Sequence, residues 1–235
     1  MARRAVKAGI ECMAATPHVN EHYGMSSGDL ISAVDSANSR FEHAGLPLQV
    51  ISGAEIAYQR LDGLGDETLQ ALSLNQAGWL LVESPSNLAA EPFVGAVAQL
   101  RHRGWQVLVA HPERCPGFQR RPELLDRLVL SGARLQITGP AVSGRFGSVV
   151  KRFAESLIER RIVHNAASDA HDAELRAPSI REHFVPLMRR RRGVESYVEW
   201  LTGPAASAVL AGEPLPPKAP TAALPGARRR RWLRS

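Results

Sequence analysis

The stretch VLVAHPER, Val107 to Arg114, runs four apolar residues into a histidine, a proline and a Glu-Arg pair. A continuous apolar run of this length reads as a strand buried on both faces, and Pro112, with no N–H to donate, marks where its ladder must stop. The strand therefore delivers His111 and then Arg114 to its C-terminal end, a place where polar side chains need a reason.

Working outward, short β-like runs alternate with longer amphipathic ones. The strand candidates are ECMAAT (Glu11 to Thr16), LQVISGAE (Leu48 to Glu55), WLLVE (Trp79 to Glu83), QVLVAH (Gln106 to His111), RLQIT (Arg134 to Thr138) and IVHNAASD (Ile162 to Asp169). Between them, GDLISAVDSANSRFEHAG carries Leu30, Val34 and Phe41 at helical spacing and stops at Gly45. NLAAEPFVGAVAQLRHRG and GSVVKRFAESLIERR follow the same rule, and RPELLDRLVLSG has Pro122 in its first turn, where the missing N–H does no harm. Six strands with helices between them predict an α/β fold, a (β/α) barrel around a parallel sheet. Beyond His171 the pattern is purely helical; residues 1–217 are expected to form one domain, and 218–235, rich in Pro, Ala and Arg, a disordered basic tail.

Composition narrows the class. With 235 residues, 44% of them apolar, the chain can bury a sizeable core. No apolar run approaches the roughly 20 residues of a membrane span, and MARRAVKAGI lacks the apolar stretch of a signal peptide. A cytoplasmic protein without a membrane span is expected. Cys12 and Cys115 form no CxxC pair, so no disulfide framework or zinc knuckle is indicated. Much of the net charge of +6 lies in MRRRRG (Met188 to Gly193) and RRRRW (Arg228 to Trp232), read as a solvated helix end and a tail. No nucleic-acid-binding signature accompanies them, and no nucleic-acid partner is expected.

The strand ends carry the chemistry. His18, Glu55, Glu83, His111, Asp169 and His171 all fall at or just past C-terminal ends, and in a barrel of parallel strands those ends meet on one face. Singly, each has a structural explanation, as a hydrogen-bonded histidine or a helix cap. Together they would form a costly cluster of charge unless a cation sat among them. Imidazole and carboxylate without thiolate suit zinc, manganese or iron. His22 could line the same pocket; His43, His102 and His183 are expected on helix surfaces, and His164 at the opposite end of its strand.

The motifs AATPH, SGAEI, LLVES, VLVAHPER, LQITGPAVSGRFG and ASDAH, in this order, resemble those of the manganese-dependent protein-tyrosine phosphatases of bacterial capsular and exopolysaccharide systems, within the polymerase-and-histidinol-phosphatase (PHP) superfamily. The resemblance spans about residues 1 to 217, by the extent of the matched motifs. It implies a distorted (β/α)7 barrel with a helical C-terminal end. It also implies that His18, Glu55, Glu83, His111, Asp169 and His171 ligate two or three divalent ions, manganese by that resemblance. Arg114 would contact the substrate phosphate, and turnover would depend on Arg114, His111 and Asp169. Arg145, in a loop before a helix N-terminus, is a second candidate for anion contact. The implied partner is a phosphotyrosine protein, a bacterial tyrosine kinase, with the oligomeric state open. One element of the pattern is missing: the first strand with its Asp-x-His-x-His, for which no counterpart exists here. One ion site should then be incomplete, and Met1 is expected to be internal to a longer reading frame; a gene that has lost its front is the alternative.

Three rival functions remain. Cys115 and Arg121 have the spacing of a cysteine-dependent phosphatase, though Pro122 and the preceding Glu-Arg fit that motif poorly. A small phosphate ester such as histidinol phosphate could be the substrate. A catalytically impaired barrel could bind phosphopeptide without hydrolysing it.

Overall fold

The structure, a computed structural model, describes residues 1–23 and 27–218. The arginine run at 228–231 and the expected tail beyond Lys218 lie outside the described residues. Lys218 itself does not belong to a tail: it is half-buried and its Nζ donates to the main-chain oxygen of Arg161.

The chain begins with α1 (Ala2–Lys7), β1 (Cys12–Ala15), β2 (His18–Val19), α2 (Ser27–His43), β3 (Gln49–Ser52) and β4 (Glu55–Ala57). A 3-10 turn (Tyr58–Gly63) and α3 (Asp66–Leu72) lead to β5 (Trp79–Glu83), α4 (Ala90–His102) and β6 (Gln106–Ala110). A second 3-10 turn (Pro112–Arg114) precedes α5 (Pro116–Arg120), α6 (Glu123–Leu130), β7 (Arg134–Thr138), α7 (Gly139–Ser143), α8 (Gly147–Glu159) and β8 (Asn165–Ala167). Helices α9 (Arg181–Arg190), α10 (Val194–Thr202) and α11 (Pro204–Ala211) close the described chain. All ladders are parallel, in the order β2-β4-β5-β6-β7-β8 with β1-β3 as a separate pair. This is the expected α/β architecture. Among the described residues no ladder joins β8 to β1 or β2, so those strands form the edges of the array.

Parallel strands covered by helices must be apolar on both faces: Leu80, Val82, Val107, Val109, Leu135 and Ile137 are fully buried on one face, and Trp79, Leu81, Leu108 and Ala110 are buried on the other face of β5 and β6. Phe93 and Val97 of α4, Leu124 and Leu128 of α6, and Leu157 of α8 pack in the same core cluster.

The structure corrects two strand readings. The segment Leu48 to Glu55 is not one strand but two, β3 and β4, and the strand after Glu11 likewise resumes as β2. Both breaks fall at the same level, between the pairs Ala15↔Ser52 and His18↔Glu55, with Glu55 N–H donating to Pro17 O at 3.0 Å. Gly53 permits the break. A Cβ there would lie 2.7 Å from Leu74 Cδ2 and 3.3 Å from Leu74 Cα, so any other residue requires Leu74 to shift. As a consequence His18 and Glu55 sit within a second ladder and not beyond the last residue of the first.

Candidate metal and phosphate site

His18 opens β2, Glu55 opens β4, Glu83 ends β5 and His111 follows β6 directly, so four adjacent strands present four ligand-type side chains side by side. One ligand atom from each of His18, Glu55 and Glu83 lies within 4.8 Å of the others. His18 Nδ1 stands 3.9 Å from Glu55 Oε2 and 3.8 Å from Glu83 Oε2. His111 Nε2 is 2.7 Å from Glu55 Oε1 and 4.0 Å from Glu83 Oε1.

The backbone is shaped to hold these groups. His111 adopts φ 35, left-handed, and so does Asp169 at φ 50. Non-glycine residues rarely take this conformation, and the surrounding structure must impose it. At His111 the constraint comes through Glu113. Its fully buried carboxylate accepts from Thr138 N (2.9 Å) and Thr138 Oγ1 (2.8 Å), tying the His-Pro-Glu-Arg turn to the end of β7. Burial pushes the Glu113 pKa up.

Electrostatics separate the two glutamates. Burial pulls the Glu55 pKa upward, but the hydrogen bond and charge of His111, then His18 and Arg114, outweigh it and the net shift is down. Burial, then the negative charge of Glu55, raises Glu83. His111 is raised: burial opposes its charged form, and the bond to Glu55 prevails.

The residues present fit a divalent cation. His18 Nδ1 is buried without a hydrogen-bond partner, an expensive state for a ring nitrogen unless a cation takes its lone pair. Two carboxylates and two imidazoles, with no thiolate, make a donor set for a borderline or hard metal.

Asp169 lies at the other side of this cluster. Its Oδ2 accepts from Arg114 Nη1 at 2.8 Å and from Arg176 Nη2, so two guanidinium groups converge on one carboxylate. Arg114 is further oriented by Phe146, whose ring centroid is 4.8 Å from its Cζ. His171 Nδ1 sits 3.1 Å from Asp169 O, and the His171 and His18 rings are 6.1 Å apart. The sequence reading missed Arg176. It sits in the irregular loop after His171, held by Asp172 Oδ1, which accepts from the main-chain N–H of Glu174, Leu175 and Arg176. Arg176 Nε is buried without an acceptor, a donor available to an anion. No periodicity marks a loop residue of this kind; only its position five residues past His171 could have drawn attention.

The structure thus brings together His18, Glu55, Glu83, His111, Arg114, Asp169 and His171. It does not join Arg145 to them: that residue is exposed, with no side-chain hydrogen bond to the cluster among the described residues, and its charge acts on Asp172 and His183. His22 is exposed, with its main-chain N–H on Asn20 Oδ1. His164 stands before β8, away from the cluster as expected. His183 departs from the surface role read for it: its ring packs against Gly139 and bonds Ser143 Oγ at 3.0 Å. The cysteine alternative loses its basis. Cys115 is 1% exposed, burial raises its thiol pKa, and Arg121 pairs outward with Glu91 and Glu123. No helix among the described residues is long and apolar enough to cross a membrane.

Comparisons with known proteins place the family and the fold. Tyrosine-protein phosphatase YwqE of Bacillus subtilis is 36% identical over 180 residues, 75% of this chain and 70% of that protein. Tyrosine-protein phosphatase CpsB of Streptococcus agalactiae is 27% identical over 172 residues, 69% of each chain. A solved chain from work on YwqE of Bacillus subtilis and CpsB of Streptococcus pneumoniae, described as unique metal-dependent tyrosine phosphatases, superposes with TM-score 0.79 at 30% identity, covering 94% of this chain and 90% of that one. The family model for capsular polysaccharide synthesis, CpsB/CapC, matches residues 1–211, and the chain belongs to that family.

Proposed function

We propose that this chain is a metal-dependent phosphatase of protein phosphotyrosine, acting on a tyrosine kinase that controls capsular or exopolysaccharide synthesis. The observation that carries the reading is the placement of two guanidinium groups, Arg114 and Arg176, beside a cluster of two carboxylates and two imidazoles. Metal-dependent hydrolysis of a phosphate monoester uses both halves. A divalent ion held there, manganese in this proposal, would supply polarisation of the phosphoryl group and a lowered pKa for water as nucleophile.

The chain's own residues do the rest. His18, Glu55, Glu83 and His111 would hold metal, with Asp169 and His171 completing the ligand set at the far side. Arg114 offers a planar fork that matches two phosphate oxygens, and Phe146 fixes its plane before substrate arrives. Arg176 adds a second fork, and its unpartnered Nε supplies a further donor. Both guanidinium groups stabilise the charge that builds on the equatorial oxygens during transfer. Phenolate is a stable leaving group, so departure of tyrosine asks less of a general acid than departure of an alkoxide would.

The test is phosphate release from a phosphotyrosine peptide and from histidinol phosphate, with manganese and then with EDTA. Manganese-dependent release from the peptide in preference to the small ester is expected. Release that survives EDTA would overturn the metal reading, preference for histidinol phosphate the substrate, and tight peptide binding without release the catalytic role. Alanine at His111 or Asp169 should abolish turnover while the circular dichroism spectrum is preserved.

A further inference from the structure

The end of the strands opposite the metal cluster holds a second concentration of charge that the phosphatase chemistry does not use. Arg134 opens β7, His164 stands just before β8, Arg101 lies in the last turn of α4, and Lys218 arrives after α11. Their bonds go to neutral acceptors. Lys218 Nζ donates to Arg161 O, and Arg134 Nη1 to Ala133 O at 3.2 Å. Arg101 donates to Trp105 O at 2.7 Å, Gln106 Oε1 at 2.8 Å and Ser131 O at 3.3 Å. His164 Nδ1 accepts from Leu135 N at 3.3 Å and so is the unprotonated nitrogen of a neutral ring.

Among the described residues no carboxylate forms an ion pair with Arg101, Arg134 or Lys218. The charges that act on Lys218 are Arg161 and Arg134; those on His164 are Lys218 and Arg134; that on Arg134 is Arg101. Burial, followed by these like charges, lowers Lys218 to about 8. Half-buried cations without a counter-charge are costly, and proteins rarely keep them without a use.

A neutral donor accompanies them. Trp200, 5% exposed on α10, has a buried indole N–H without an acceptor, and Lys218 Nζ lies 5.9 Å from its ring centroid. Cations and an orphaned N–H donor at one place ask for an acceptor with several negative oxygens. Arginine forks match tetrahedral oxyanions, and more than one cation calls for more than one negative charge.

We propose that this cluster is a binding site for a multiply charged phosphate anion, pyrophosphate or the phosphates of a nucleotide, held by Lys218 and Arg134 with the Trp200 indole N–H. The site lies about 17 Å from the metal cluster, the length of a five-residue strand, and is independent of the phosphatase reading.

Calorimetric titration of the full chain with sodium pyrophosphate, in EDTA to prevent metal-bridged binding, tests the proposal. Saturable binding is expected in the wild type and in Arg114→Ala, weakened at least tenfold in Lys218→Gln and in Arg134→Gln. Lys218→Gln lies outside the sheet and guards against a folding defect in the other variant. Repeating the titration with ADP separates the two sources: equal affinity assigns the site to free phosphates, tighter binding to a nucleotide. Absence of saturable binding, unchanged affinity in Lys218→Gln, or loss of binding in Arg114→Ala would overturn it.

Discussion

Asp169 is the residue on which the two halves of the site meet. It sits in a left-handed backbone conformation, accepts from Arg114 and Arg176, and lies beside His171. A single carboxylate thus holds both guanidinium groups in place. Because the fork geometry and the stack on Phe146 matter as well as the charge, Arg114→Lys should lower kcat/KM on phosphotyrosine peptide at least tenfold, roughly the value of one lost charge-assisted hydrogen bond. Steady-state kinetics would read this directly, and unchanged kcat/KM would remove Arg114 from phosphate binding. Arg176→Ala is expected to cost about 100-fold by the same measurement, on the scale of one removed transition-state donor. Arg114 was legible in the sequence because it follows a buried strand at fixed spacing; Arg176 was not, because an irregular loop has no period to read.

At the scale of elements, the site depends on two neighbouring strands breaking in step. Parallel pairing carries the break from one strand to the next, since Ala15↔Ser52 and His18↔Glu55 bracket it on both sides. Gly53 is where that arrangement is most sensitive. Gly53→Val should destabilise the fold by about 1–3 kcal/mol, the usual cost of overpacking a filled site. Urea unfolding measures the loss, and because Glu55 is two residues on, kcat should fall as well. A variant as stable and active as the wild type would show that Leu74 yields without cost. The break escaped the sequence reading since LQVISGAE reads as one β-like run, and Ser-Gly-Ala inside such a run does not announce a change of ladder. By contrast β5 and β7 coincide residue for residue with WLLVE and RLQIT.

For the whole molecule, acid is expected to act through the far end of the sheet. His164 is buried, and burial, then Lys218 and Arg134, lowers its pKa to about 3. Between that value and the unfolded one near 6.5, the unfolded chain binds the additional proton. Stability from this residue is therefore complete above pH 6.5 and is lost as pH falls toward 3, by on the order of a few kcal/mol. Urea midpoints measured from pH 7 to pH 4 should decline, and His164→Gln, which keeps an acceptor for Leu135 N–H, should decline less steeply. Equal slopes would place the acid sensitivity elsewhere.

The sequence by itself determined the parallel α/β architecture, the strands that deliver Glu83 and His111, and the end of the sheet at which the ligand-type residues emerge. Apolar runs fix strands, and parallel connection fixes which ends gather on one face. Only the tertiary structure decided that Arg176 joins Arg114 on Asp169 and that Glu113 anchors the turn from beneath. It alone showed that Arg145 makes no side-chain hydrogen bond to the cluster among the described residues, and that Arg101, Arg134 and Lys218 share one end of the sheet with no carboxylate paired to them among the described residues. These are relations between segments distant in the chain, set by how loops and helices pack, and no local pattern of residues encodes a distance of that kind.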